Sequence, residues 1–170
     1  MFIGKKSLLI VGAGEYGYLV KELAEDCGYD EIAFLDDSNP IAIGLLSEAG
    51  KFRDIYEEIV IAIGNPEKRE KLVEEVEPLF HLATLIHPNA YVSRSAVIGN
   101  GCIVEFGAII HAASRLGKAC IINAGAVVNH NSIVGDFSQV DCNAIVAART
   151  VLPQGKKVMS GTVWNGSSVD

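Results

Sequence analysis

Residues 121–140 read IINAGAVVNHNSIVGDFSQV, and an aliphatic side chain returns there at every sixth position, at Ile122, Val128, Val134 and Val140. Two places before each stands a small residue: Cys120, Ala126, Ser132 and Ser138. Both columns continue outward with no insertion breaking the frame from Ala90 to Ser167. The first column runs Val92, Ile98, Val104, Ile110, Leu116, Ile122, Val128, Val134, Val140, Val146, Leu152, Val158 and Trp164, so 12 of its 13 members are aliphatic. The second runs from Ala90 to Thr162, and only Lys156 in it is not small. A period of six matches neither an α-helix at 3.6 nor a lone strand at 2. It matches a solenoid with one hexapeptide per face and three faces per coil. Stacked positions are then 18 residues apart, with coils at about 4.8 Å, the spacing of paired strands. The pattern predicts a left-handed parallel β-helix from about Asn89 to the C-terminus. Aliphatic residues fill its interior, the small residues permit the tight corners, and Trp164 closes the open end.

The first 86 residues follow another rule. Short apolar runs at Ser7–Val11, Ile32–Leu35, Ile59–Ile63 and Leu82–Ile86 read as strands. Helical spacing of apolar residues runs from Glu15 to Cys27 and stops at Gly28, and a charged helix follows Gly64-Asn65-Pro66 from Glu67 to about Val76. Strands alternating with helices imply a small parallel sheet with covered faces. The expected division is an α/β, Rossmann-like domain over 1–86 and a β-helix domain over 87–170.

Composition narrows the classes. The net charge of -7 and the lack of a Lys/Arg block argue against a nucleic-acid partner. No apolar stretch approaches the length of a membrane span. The apolar run near the N-terminus feeds a glycine loop and not a cleavage site, so the cytoplasm is the expected compartment. Cys27, Cys102, Cys120 and Cys142 form no CxxC pair and read as small core residues. His81, His87, His111 and His130 hold no closely spaced pair, so no metal is expected.

Gly12, Gly14 and Gly17 form a GxGxxG loop after a strand and before a helix, with Asp36 at the end of the next strand. Such a loop aims backbone N–H groups and a helix N-terminus at a phosphate. A nucleotide-sugar pyrophosphate, a dinucleotide cofactor and a purely structural turn all fit the motif. The domain's size argues against the dinucleotide, which needs two mononucleotide-binding halves.

The whole arrangement resembles the bacterial sugar O- and N-acetyltransferases built from hexapeptide repeats. The resemblance rests on the loop Gly12-Ala13-Gly14-Glu15-Tyr16-Gly17, on Phe34-Leu35-Asp36-Asp37, on Ala62-Ile63-Gly64-Asn65 with Arg69, on Ile86-His87-Pro88-Asn89-Ala90, and on Val127-Val128-Asn129-His130-Asn131 followed by Ile133-Val134-Gly135-Asp136-Phe137. It implies a homotrimer that uses acetyl-CoA as co-substrate and holds a nucleotide sugar with its N-terminal domain, through Gly12, Gly14, Glu15, Tyr16, Gly17, Asp36, Asp37, Gly64, Asn65 and Arg69. It also implies that His130 is the general base, that Asn131 orients it, that the Ala148 N–H receives the thioester oxygen, and that Gln139 lies at the coenzyme.

Three positions depart from the family pattern. Asn129 and Asn131 flank His130 where the family has an acidic neighbour, and Gln139 replaces a second histidine. Relatives of this type also run one to two coils further. The expected activity is acetyl transfer to an amino or hydroxyl group of a sugar, most readily a nucleotide-linked one. A non-catalytic nucleotide-sugar-binding or scaffold trimer is the alternative.

Overall fold

The computed structural model describes residues 6–166. The last position of the repeat frame, Ser167, lies outside the described residues. The chain forms two compact units, divided between Ala83 and Thr84.

The N-terminal unit is built on a parallel sheet of β1 (Ser7–Val11), β2 (Glu31–Leu35), β3 (Glu58–Ile61) and β4 (His81–Leu82), in the order β2-β1-β3-β4. Leu8, Leu9, Ile10, Ile59 and Val60 are fully buried, which accounts for their unbroken apolar runs. Helix α1 (Glu15–Asp26) buries Val20, Leu23 and Ala24, and α2 (Pro66–Val76) buries Leu72, Val73 and Val76. Asn65 caps α2 by accepting the Lys68 N–H at 2.8 Å, with Pro66 in the first turn where its missing N–H costs nothing. Gly28, at φ +83°, follows the C-cap of α1.

The second unit is the left-handed parallel β-helix. Its first sheet stacks β5 (Leu85–Ile86), β8 (Ile103–Val104), β11 (Ile121–Ile122), β14 (Gln139–Val140) and β17 (Lys157–Val158). The second stacks β6 (Tyr91–Val92), β9 (Ile109–Ile110), β12 (Val127–Val128), β15 (Ile145–Val146) and β18 (Val163–Trp164). The third stacks β7 (Val97–Ile98), β10 (Arg115–Leu116), β13 (Ile133–Val134) and β16 (Val151–Leu152). Paired residues are 18 apart, as in Ile121↔Gln139 and Val127↔Ile145. Between Val104 and Val158 the aliphatic column is at most 4% exposed. Trp164 is partly buried against the column, and its indole N–H donates to the Val151 carbonyl at 2.9 Å.

One expectation needs correction. The run Leu82–Ile86 is not one strand: His81–Leu82 pairs with β3, while Leu85–Ile86 pairs with β8 and already belongs to the β-helix. From Cys102 to Thr162, the residues that precede the small-residue column form a second column in the left-handed conformation. That column runs Gly101, Gly107, Ala113, Ala119, Gly125, Asn131, Phe137, Asn143, Arg149, Gly155 and Gly161, with φ between +49° and +76°. Six of the eleven are not glycine. The repeating ladder around them fixes a conformation that an isolated Phe or Arg would avoid.

Candidate active site

The glycine loop of the N-terminal unit is shaped by two close approaches. Gly12 has φ +102°, and a Cβ on Gly17 would lie 2.0 Å from the Gly12 carbonyl oxygen. Both glycines are therefore required by the fold itself. Gly14 differs: it is exposed, and a Cβ there would meet nothing within 4 Å. Gly14 is also the N-cap of α1 and contributes no side-chain cap.

Asp36 ties this loop to the end of β2. Its Oδ2 accepts the Ala13 N–H at 2.8 Å, and its Oδ1 accepts from Ser38 N, Ser38 Oγ and Asn39 N at 2.9–3.0 Å. The N–H of Ala13, ahead of those of Ser38 and Asn39, holds the carboxyl down at about 2, from an ordinary value of 3.8. Asn39 completes the tie by donating to the Ala13 carbonyl at 2.6 Å. Asp37 accepts the Leu46 N–H at 3.0 Å.

A cleft opens beside the loop, lined by Gly12, Asp36, Asp37, Ser38, Ile63 and Lys68 among others. Arg69, expected at the ligand, is 1% exposed. Its guanidinium donates to the carbonyls of Ile63 at 2.7 Å and Gly64 at 3.0 Å, so it shapes the β3–α2 loop from behind. Its neighbour Lys68 is the cation that lines the cleft. Glu15 and Gly64 are exposed, Tyr16 is half-buried, and Asn65 is engaged in its cap.

In the β-helix, His130 stands exposed at the corner between the second and third sheets. The corner is held by the buried Ser132 hydroxyl, which donates to the Asn129 carbonyl at 2.5 Å. One coil on, Thr150 does the same to Ala147 at 2.8 Å. Asn129 Oδ1 accepts the His130 N–H at 2.8 Å, and Asn131 Oδ1 lies 3.0 Å from His130 Nδ1. An amide oxygen there selects the tautomer with its proton on Nδ1, leaving the Nε2 lone pair outward. The pairing of Val127 with Ile145 places Ala148 next to His130 on the following coil. The Ala148 N–H makes no hydrogen bond among the described residues.

Gln139 is not part of this group within the chain. It lies on β14 in the first sheet, opposite the corner that carries His130. Its amide ends a buried polar chain, with Gln139 Nε2 donating to Asn123 Oδ1 at 2.7 Å and Asn123 Nδ2 to Glu105 Oε1 at 2.6 Å. The repeat gave no warning of Glu105 and Asn123, since each occupies the outward position after an interior aliphatic. Lys68 and Asn39 were also missed, although each sits within three residues of a position singled out. Among the described residues, no group of three His, Cys, Asp or Glu is placed to hold a metal ion.

Known proteins share these features. Residues 7–76 match the family described as the PglD N-terminal domain. UDP-N-acetylbacillosamine N-acetyltransferase of Bacillus subtilis (strain 168) is 33% identical over 110 residues, 58% of this chain and 51% of that protein. The match thus spans about half the length of that relative. The acetyltransferase domain of PglB from Neisseria gonorrhoeae FA1090 superimposes with a TM-score of 0.89 at 31% identity, covering 94% of this chain and 82% of that one. The same domain has been solved in complex with acetyl coenzyme A. PerB from Caulobacter crescentus, solved with CoA and GDP-perosamine, gives a TM-score of 0.70 at 25% identity over 95% of this chain and 91% of that one. The shared two-part fold and the 31% identity over almost the whole chain show that this protein belongs to the hexapeptide-repeat family of sugar N-acetyltransferases.

Proposed function

We propose that this protein transfers the acetyl group of acetyl-CoA to the amino group of a nucleotide-linked amino sugar. The observation that carries the reading is the His130–Asn131 pair, an exposed imidazole whose Nδ1 lies 3.0 Å from an amide oxygen, which makes Nε2 the basic nitrogen. The relatives' names and bound ligands supply the substrate class. In the N-terminal unit, the open side of Gly14, the uncapped start of α1 and Lys68 suit the pyrophosphate. At the β-helix corner, Nε2 of His130 takes a proton from the acceptor nitrogen as that nitrogen attacks the thioester carbonyl. The N–H of Ala148 stabilises the oxyanion. The C–S bond then breaks, the coenzyme leaves as thiolate, and no covalent enzyme intermediate forms.

We further propose a homotrimer. The outward residues of the second sheet are Tyr91, Ile109, Val127, Ile145 and Val163, an apolar stripe in which Tyr91 and Val163 are 58% and 56% exposed. Three such stripes around a threefold axis cover one another. In that arrangement the corner carrying His130 adjoins the neighbour's corner between its first and second sheets. Glu105 and Asn123 open that corner and Gln139 lies just before it, so His130 and Gln139 meet across copies. The cytoplasm remains the expected compartment; among the described residues no helix is long and apolar enough to cross a membrane.

The test is thiol release from acetyl-CoA across a panel of UDP-, GDP- and TDP-linked amino sugars, with mass by light scattering. Transfer to at least one amino sugar by a trimer is expected. Nucleotide-sugar binding without transfer to any acceptor would make the protein a binding scaffold, and a monomer at micromolar concentration would remove the shared site.

A further inference from the structure

The third sheet pairs Val97 with Arg115, Arg115 with Ile133 and Ile133 with Val151. Three residues before each, the corner between the second and third sheets carries one column: Arg94, Ala112, His130 and Ala148. Hydrogen bonds between neighbouring coils hold this register at the corner itself. The Asn131 N–H donates to the Ala112 carbonyl at 3.0 Å, and the Arg149 N–H to the His130 carbonyl at 3.1 Å. Arg94 therefore stands two coils before His130, about 10 Å along the solenoid. The residue between them, Ala112, is exposed and offers only a methyl group.

The charge around Arg94 is set apart from that of the rest of the unit. The unit's described carboxylates are Glu105, Asp136 and Asp141, and all three lie at the other two corners. Each is already engaged: Glu105 with Asn123 and the Ala124 N–H, Asp136 with the Lys118 N–H, and Asp141 with Lys157 at 3.1 Å. Arg94 is exposed, and among the described residues its guanidinium makes no hydrogen bond or ion pair. A cation on the His130 column, at a corner without a carboxylate, attracts an anion brought to that corner.

The acceptor in the reading above is such an anion. Its sugar ring carries the amine at one position and a phosphate ester at another, and a guanidinium grips a phosphate through two parallel N–H donors. We propose that Arg94 is an acceptor-binding residue: it holds the phosphate that carries the sugar, the ring lies over Ala112, and the amine meets Nε2 of His130. The ring and the arginine's own length take up the two-coil spacing. This rests on that functional reading and adds to it a contact made by the β-helix itself. Arg94 moves no proton; it fixes where the amine stands.

The test compares wild type, Arg94→Met and Arg115→Met on whichever UDP-, GDP- or TDP-linked amino sugar reacts fastest. Arg115 is an exposed arginine on the same sheet but off the corner column, so its variant removes the same charge elsewhere. Arg94→Met should raise KM for the acceptor between about tenfold and a hundredfold, the worth of one charge-assisted contact. Its kcat and its KM for acetyl-CoA should stay within about threefold of wild type. Arg94→Lys keeps the charge and loses the fork, and should regain part of the affinity. The same amino sugar without its phosphate should react equally with wild type and Arg94→Met; if it reacts too slowly to measure, the comparison with Arg115→Met decides. Arg115→Met should match wild type within about twofold. Wild type that acetylates no nucleotide-linked amino sugar overturns the functional reading and this site with it. An active wild type whose acceptor KM is unmoved by Arg94→Met, or moved equally by Arg115→Met, overturns the role of Arg94 alone. So does a loss in Arg94→Met that falls as heavily on kcat and on the KM for acetyl-CoA.

Discussion

The Nδ1 of His130 and the Oδ1 of Asn131 lie 3.0 Å apart on adjacent residues, and Asn131 reaches that position from the left-handed region at φ +59°. The neutral amide orients the ring but adds no charge to stabilise an imidazolium. Asp tolerates the left-handed region as Asn does, so Asn131→Asp leaves the corner intact. The expected outcome is faster transfer at neutral pH, with the acid limb of the pH–rate profile moved to higher pH. His130→Ala should lower the rate by roughly 10²–10⁴ with little change in coenzyme affinity. An active enzyme indifferent to His130→Ala would end the assignment.

Gly14 and Gly17 belong to one motif and should fail differently. A Cβ added at Gly14 meets nothing within 4 Å, so Gly14→Val should keep the wild-type melting temperature and lose nucleotide-sugar binding in calorimetry. Alanine at Gly17 puts a carbon 2.0 Å from the Gly12 oxygen. That variant should lose about 2–3 kcal/mol of stability in denaturant titrations. Equal nucleotide-sugar binding by Gly14→Val and wild type would reduce the loop to a turn.

Acid should loosen the N-terminal unit through Asp36. Its folded value of about 2 lies below its ordinary 3.8, so its contribution is complete above about pH 4 and is lost as pH falls through about 2. Four of the five tyrosines, at positions 16, 18, 29 and 56, lie in this unit, whereas Trp164 reports on the β-helix. Tyrosine signals should therefore melt at lower temperature as pH falls from 4 to 2. Asp36→Asn should flatten that dependence and melt lower than wild type at pH 7. A wild-type profile already flat over this range would remove Asp36 from the account.

Arg69 and Lys68 are adjacent and should separate stability from binding. Arg69→Met strands the carbonyls of Ile63 and Gly64, at a cost of about 3 kcal/mol measured by denaturant titration. Lys68→Ala touches only the cleft, so stability should hold while affinity for a nucleoside diphosphate falls about tenfold and its salt dependence weakens. The opposite pattern would restore Arg69 as the ligand contact.

The repeat was legible because one position in six repeats the same physical demand, an aliphatic in a dry interior, from Val92 to Val158. The corner column was not, because Ala113, Phe137 and Arg149 carry no turn signature; their conformation is imposed by the ladder. Leu82–Ile86 looked like one strand because its residues are apolar on both sides of the unit boundary. Asp36 at the glycine loop and Arg69 behind the β3–α2 loop carry structural ties that their sequence positions do not announce. Charge at a loop looks like ligand binding until the geometry shows Ala13, Ile63 and Gly64 already taking those hydrogen bonds. Glu105, Asn123 and Gln139 were out of reach together, since their alignment depends on coils that stack residues 16 and 18 apart.

The proposed trimer, with a site shared between copies, is open to a complementation experiment. His130 lies on the corner between the second and third sheets and Gln139 on the opposite first sheet, so one prism cannot bring them to a single substrate. His130→Ala and Gln139→Leu should each be impaired alone, the second mainly at low coenzyme concentration. In trimers assembled at random from equal amounts of both, a site is intact when a Gln139→Leu chain gives its His130 to a neighbour that keeps Gln139. Half the chains qualify for each role, so about one quarter of the sites are wild type. Co-expressed chains should therefore recover close to a quarter of wild-type turnover at low acetyl-CoA, while separately purified variants mixed without exchange should not. Activity of the mixture equal to the mean of the two variants would mean that His130 and Gln139 never serve the same site, and Gln139 would leave the acyl-transfer machinery.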